Sequence, residues 1–280
     1  MTTHSSDGVQ SIIDPAVHEA LHSRRSAIAK GATTSGLVLA GLRMGTVPAA
    51  LAAISTSAFG QGARLPTAVI GVLNFALRLE YLEAEFYNKG IAASGLIPAA
   101  DRTIFTTIQA HENVHVTYLR DLLGTSARPK PTFDYSAGNG SGTGPFADVF
   151  TNYATFLAVA QAFEDTGVRA YKGQAGALKP YKDVLQAALS VHSVEARHAA
   201  EVRRLRGNFM DNEPNQGWIT NATTDVPGTA AVYAGDDNVI QLGIDVRSIT
   251  AVATKEITEA FDEPLTMAAV LAIVDPFIVG

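Results

Sequence analysis

One pattern, written twice, constrains this chain more than any other. Glu80 is followed seven residues later by Tyr87, and Glu112 is followed three residues later by His115; Glu164 with Tyr171, then Glu195 with His198, repeat the arrangement. The first glutamate precedes the second by 32 positions in one half and by 31 in the other. On a helix, residues three apart lie on one face, so a carboxylate oxygen and an imidazole nitrogen can converge on one ion. Residues seven apart lie two turns apart on that face, which places each tyrosine above its own glutamate and inside the structure. Four such helices direct four carboxylates and two imidazoles at a common centre, the way dinuclear metal sites are built in the core of a helix bundle. A lone Glu-x2-His is common by chance and is ordinarily a solvated pair. Two copies, each preceded at near-equal distance by Glu-x6-Tyr, are much harder to obtain by chance.

Helix signals fall where the repeat needs them. A first helix reads from about 67 to 89, with Ile70, Leu73, Leu77 and Ala84 on one side and Lys89-Gly90 as a basic last turn and glycine cap. A second starts at Asp101, a candidate N-cap, and reaches Leu123 before Gly124. A third opens at Pro145 and runs to Lys172 before Gly173, and a fourth runs from Pro180 to Gly207. The connection between the second and third, 124–144, is long and loaded with Gly, Ser and Pro, whereas the other two are shorter. Short, long, short describes an all-α four-helix bundle with one crossover from end to end. The stretch 211–250 is polar and turn-rich; 249–262 and 265–274 read as helical, with Pro264 and Pro276 as punctuation. The expected organisation is an N-terminal segment over 1–60, a bundle over 61–210 and an extension over 211–280 that wraps it.

Charge supports the metal reading independently. Four carboxylates buried together repel one another and each costs several kcal/mol to desolvate. Two divalent cations carry +4 against that −4 and neutralise the site. By symmetry Glu112 and Glu195 bridge the metals, while Glu80 with His115 and Glu164 with His198 complete them, a terminal pairing that can also be exchanged. Tyr87 and Tyr171 have two readings: packing residues that hydrogen-bond a ligating glutamate, or redox participants at a catalytic site. Other polar residues have plainer readings: Glu83 a solvated or supporting carboxylate, Glu85 and Asp165 off the ligand face, and His111 and His192 completing no spacing. The chain has no cysteine, which removes disulfides, thiolate sites, iron–sulfur clusters and cysteine nucleophiles. A net charge of −6, with no basic stripe interleaved with aromatics, argues against nucleic acid as a partner.

Residues 23–30 read Ser-Arg-Arg-Ser-Ala-Ile-Ala-Lys and precede an uncharged run from Gly31 to Leu42. This resembles a twin-arginine export signal, whose consequence is a periplasmic or extracellular location; the alternative is a cytoplasmic protein with an N-terminal arm. Arg43, Pro48 and many Ser, Thr and Gly residues dilute the ~20 apolar residues of a permanent membrane span, so none is expected.

The phrase from Asn74 to Tyr87, Asn-Phe-Ala-Leu-Arg-Leu-Glu-Tyr-Leu-Glu-Ala-Glu-Phe-Tyr, and the tail phrases Phe261-Asp262-Glu263-Pro264-Leu265 and Pro276-Phe277-Ile278 resemble the ferritin-like superfamily, and within it the group labelled desiccation-related. The six candidate ligands match the dinuclear motif of ferritins, bacterioferritins and rubrerythrins without substitution. The resemblance implies a ferritin-like bundle and two Fe ions, or Mn. The extension and the export-like N-terminus depart from ferritins proper, against cage assembly and bulk iron storage. The expected function is a di-iron protein that oxidises Fe(II) or reduces dioxygen or peroxide under stress. The alternatives are a non-catalytic, desiccation-protective scaffold with a structural metal, and a manganese catalase-like activity. A homo-oligomer is compatible with such apolar helices.

Overall fold

A computed structural model of the protein describes residues 65–210 and 216–279. Four long helices carry the repeat: α1 (Thr67–Ala92), α2 (Arg102–Leu123), α3 (Tyr153–Leu178) and α4 (Lys182–Met210). The pairs α1–α2 and α3–α4 are hairpins, and α1 also packs on α3. The chain is all-α, a four-helix bundle with one long crossover and a C-terminal extension. No helix among the described residues is long and apolar enough to cross a membrane. The export-like stretch lies outside the described residues.

Several helix ends differ from the sequence expectation, each for an identifiable reason. Gly90 does not cap α1, which continues to Ala92; it lies under the Phe156 ring, and a Cβ there would collide with that ring. Gly173 does not end α3 either. The backbone carbonyl of Leu265 crosses the helix at Gly173, leaving no room for a side chain, and α3 continues to Leu178. Both glycines permit close approach. The third helix starts at Tyr153 rather than Pro145, because the Asn152 side chain accepts from the Ala154 N–H and caps it there. The fourth starts at Lys182 and passes Gly207 to Met210. Asp101 does occupy the N-cap position of α2, but its carboxylate accepts from the Tyr153 hydroxyl at 2.7 Å and caps nothing.

The crossover, 124–152, is held at several points. Asn74 donates to Ser126 O at 2.9 Å and accepts from the Arg128 N–H at 2.8 Å, and the Tyr135 hydroxyl donates to Leu82 O at 2.8 Å. Within it, β1 (Thr132–Phe133) pairs antiparallel with the strand Ile278–Val279 at the far end of the extension. Between them the extension carries a hairpin of Ile240–Gln241 with Ile244–Asp245 and three short helices, Ala230–Tyr233, Thr254–Thr258 and Met267–Val274. Only 254–258 of the stretch 249–262 is helical, in one turn.

A buried polar seam joins this extension to α3. Arg169, fully buried, donates through Nε to Glu263 O at 2.6 Å, through Nη2 to Ala234 O at 2.7 Å and through Nη1 to Val232 O, with Asp236 at 3.6 Å. Asp165 forms a two-pronged ion pair with Arg203 of α4 and accepts from the Tyr233 hydroxyl at 2.8 Å. The Leu265 N–H donates to Arg169 O at 3.1 Å. Charges buried this way persist only when paired and fully hydrogen-bonded. The seam thereby fixes the outer face of α3 and leaves its inner face to the bundle core.

Candidate metal centre

The inner faces of the four helices bring Glu80, Glu112, His115, Glu164, Glu195 and His198 into one buried cluster. Five of the six are fully buried and His198 is 5% exposed. Their donor atoms fall into two groups, each within 4.8 Å: Glu80, Glu112, His115 and Glu195 in one, and Glu112, Glu164, Glu195 and His198 in the other. Glu112 and Glu195 belong to both. His115 Nδ1 lies 3.1 Å from Glu80 Oε2, 3.1 Å from Glu112 Oε2 and 3.2 Å from Glu195 Oε1. His198 Nδ1 lies 2.9 Å from Glu112 Oε1 and 3.3 Å from Glu164 Oε2.

Buried lone pairs test whether a cation fits. Glu112 Oε1, Glu164 Oε2, both Glu195 oxygens and His198 Nδ1 are buried without a hydrogen-bond partner. Such atoms ordinarily cost free energy, and nearly all buried polar atoms are paired. Here they converge on one another, and hard oxygen donors with imidazoles suit iron or manganese.

Without metal, the two imidazoles compensate only part of the acid cluster. Burial pushes Glu80 up to about 7 against the opposing pull of His115. Burial also raises Glu164, and raises Glu195 well above the carboxylate range with help from Glu112 and Glu80. Glu112 is the exception: burial raises it too, but His115 and His198 outweigh burial and hold it below the ordinary range. Burial alone lowers both histidines, yet Glu80 and Glu112 raise His115, and Glu164 and Glu112 raise His198, well above 6.5.

The two tyrosines are inside the bundle, but they do not sit on their own glutamates. Tyr87 of α1 donates to Glu164 Oε1 of α3 at 2.5 Å, and Tyr171 of α3 donates to Glu80 Oε1 of α1. The bonds cross because α1 and α3 run past one another, so two turns along one helix arrives at the other's carboxylate. Burial, and then the carboxylate each one faces, raises both phenols well above 10 and keeps them neutral donors.

Three neighbours break the twofold pattern. Glu83 is only 3% exposed, not solvated; burial and then Glu195 raise it well above its ordinary value, so a fifth acid lies beside the cluster. The position matching Glu83 in the second half is Gly167, and a Cβ there would stand 2.8 Å from Glu195 Oε2 and 3.3 Å from Glu83 Oε1. One half supplies the extra carboxylate and the other the space for it. His111 is the third: its Nδ1 is 2.9 Å from His198 Nε2, which leaves His198 Nδ1 to face the cluster. The matching residue in the other half is Val194, and His115 Nε2 is buried without a partner. Gly167 escapes a reading of polar residues alone; the signal for it is that it follows Glu164 by the interval at which Glu83 follows Glu80. Glu85 and Asp165 point away, Glu85 to Lys89 and Lys130 and Asp165 to Arg203.

A family model for the ferritin-like domain matches residues 68–208, half of the chain and the span of the four helices. The chain belongs to the ferritin-like family. No curated protein and no solved structure matches it. The ferritin-like match begins one residue after α1 does and ends two residues before α4 does, so it covers all six clustered residues and nearly all of both hairpins, and the stapled extension lies beyond it.

Proposed function

We propose that this ferritin-like domain holds two iron ions between Glu80, Glu112, His115, Glu164, Glu195 and His198 and uses them to oxidise Fe(II) or to reduce dioxygen or peroxide in a stress-protective role. The observation that carries the reading is the pair of buried four-donor groups sharing Glu112 and Glu195. The shared Glu112 and Glu195 would be held in common by both ions, and Glu80 with His115 and Glu164 with His198 would complete one ion each. Four carboxylates balance two divalent cations, which offsets the cost of burial that, with a lesser share from mutual repulsion, otherwise raises Glu80, Glu164 and Glu195. Bound iron would supply electrons to a small oxidant at positions the protein leaves open. The chain's own residues orient and exclude: Tyr87 and Tyr171 fix the terminal carboxylates, His111 fixes the ring of His198, and buried side chains keep bulk water from the cluster. Manganese suits the same donors and would give a catalase-like centre.

A second reading, a structural metal in a protective scaffold, is favoured by the seam that staples the extension to α3. One experiment separates the two. Protein from its native source is analysed for metal, and the reduced, loaded form is mixed with dioxygen or peroxide. Two ions per chain, a spectral change and turnover are expected; loaded protein that stays inert leaves the scaffold reading alone. Export through the twin-arginine route, inferred from Arg24-Arg25, fits a protein that carries its metals folded, and the mass of the mature N-terminus tests it.

A further inference from the structure

The repeat makes the two ends of the bundle directly comparable, and they are filled differently. At the Tyr87 end, Phe86, Phe105, Phe156 and Phe163 are all buried to within 2%. Their rings pack at centroid distances of 4.8 Å for Phe86–Phe156, 5.1 Å for Phe105–Phe156 and 5.2 Å for Phe86–Phe163. Aligning Glu80 with Glu164 and Glu112 with Glu195 gives the residues at the matching positions of the Tyr171 end: Ala170, Ala188, Val72 and Leu79. Four rings at one end are an alanine pair, a valine and a leucine at the other.

Those four aliphatic residues line a cavity of about 20 Å³ in the bundle interior, against the ring of Tyr171. A site needs ~10–15 Å³, measured with a water-sized sphere, to hold one water molecule, and the water needs two to four polar partners. The volume therefore admits one small molecule and no alkyl chain. The lining is almost wholly carbon, and the Tyr171 hydroxyl is already committed to Glu80, so water is poorly held. Val72 and Ala188 are half-buried and lie at the outer side, whereas Leu79 and Ala170 are buried next to Glu80 and Tyr171.

We propose that this cavity is a binding site for a small apolar gas molecule of the size of dioxygen, held one side chain away from Glu80 on the Tyr171 side, while the phenylalanine-packed Tyr87 end is closed to it. The identity of the occupant as dioxygen rests on the oxidative reading of the metal centre; the site itself rests on the cavity. Partitioning into a dry apolar pocket costs an uncharged diatomic molecule little and excludes ions and water from the same path.

Xenon, inert and apolar, is the probe. Crystals of the metal-loaded protein are pressurised with xenon, and Ala188→Phe, which installs the ring the other half carries at Phe105, is treated alike. Xenon is expected in the wild-type cavity and absent from Ala188→Phe, whose reaction with limiting dioxygen slows several-fold at unchanged metal content. Val72→Phe serves in the same way should Ala188→Phe not fold. No xenon in the wild-type cavity overturns the proposal, and so does an oxygen reaction that keeps its rate when the cavity is filled. Xenon bound in a protein inert toward dioxygen supports the site and removes the oxidative reading instead.

Discussion

Gly167→Ala separates the demands of the helix from those of the cluster. Inside α3 an alanine is ordinarily favoured over glycine by about 1 kcal/mol. At 167 the new Cβ would stand 2.8 Å from Glu195 Oε2 and 3.5 Å from Glu195 Cδ, and it meets Glu83 Oε1 at 3.3 Å. Restoring ordinary contact moves the Glu195 carboxylate by roughly half an ångström. Metal–ligand distances tolerate about 0.2 Å, so a carboxylate shared by both donor groups is displaced beyond tolerance. Metal affinity is expected to fall about 10–100-fold, the loss typical when the surroundings of a ligand are disturbed, or roughly 1.4–2.7 kcal/mol. The metal-free protein should be as stable as wild type or more so. Gly176→Ala, in the same helix with open space around it, is the control; it should gain ~0.4–1 kcal/mol and leave metal binding alone. Chelator competition gives the affinities, and denaturant unfolding of metal-free and loaded forms gives the stabilities. Wild-type affinity in Gly167→Ala would refute the placement of Glu195 as a shared ligand.

Tyr87→Phe and Tyr171→Phe each remove a donor from a buried carboxylate and should cost about 1.5–3 kcal/mol in the metal-free protein while two ions still bind; loss of one ion would show that the phenols do more than orient. Metal affinity should rise with pH, about tenfold per unit for each displaced proton, across the region near 7 where Glu80 loses its proton. For the metal-free fold the sign is opposite, because Glu80 is raised from 4.5 to about 7 and so weakens folding as pH climbs through that window; calorimetric titration at about pH 6 and 8 checks the first effect and denaturant unfolding the second. Arg169→Leu leaves Asp236 and three extension carbonyls without their guanidinium and should destabilise by about 3–5 kcal/mol, seen as a lowered denaturant midpoint.

The cluster was legible because both of its requirements are local: Glu-x2-His and Glu-x6-Tyr each share one helical face, and a near-equal interval in the two halves links them. Spacing along one helix says that a side chain faces inward but not which neighbour it meets, so Tyr87 read as the companion of Glu80 when it belongs to Glu164. Glycine carries two signals, a left-handed cap and a close approach, and at Gly90 and Gly173 the second holds. The Phe156 ring and the Leu265 carbonyl that decide it come from 66 and 92 residues away, beyond any local pattern. Sequence left Glu83 between a solvated and a supporting role for the same reason, since the vacancy that admits it beside the cluster is made by Gly167 on another helix.

The crossed tyrosine bonds carry a consequence for descent. A single hairpin bearing Glu, Tyr, Glu and His, paired with an identical copy of itself, would already close both donor groups, each phenol reaching into the sister molecule. Such a symmetric ancestor would be obliged to carry the same residue at both places where Glu83 and Gly167 now stand: two acids with no room, or two vacancies with no acid. Joining the copies into one polypeptide frees the halves to diverge, and the acid facing a gap, the histidine facing a valine and the ring-filled end facing a hollow one are divergences that no pair of identical copies can hold.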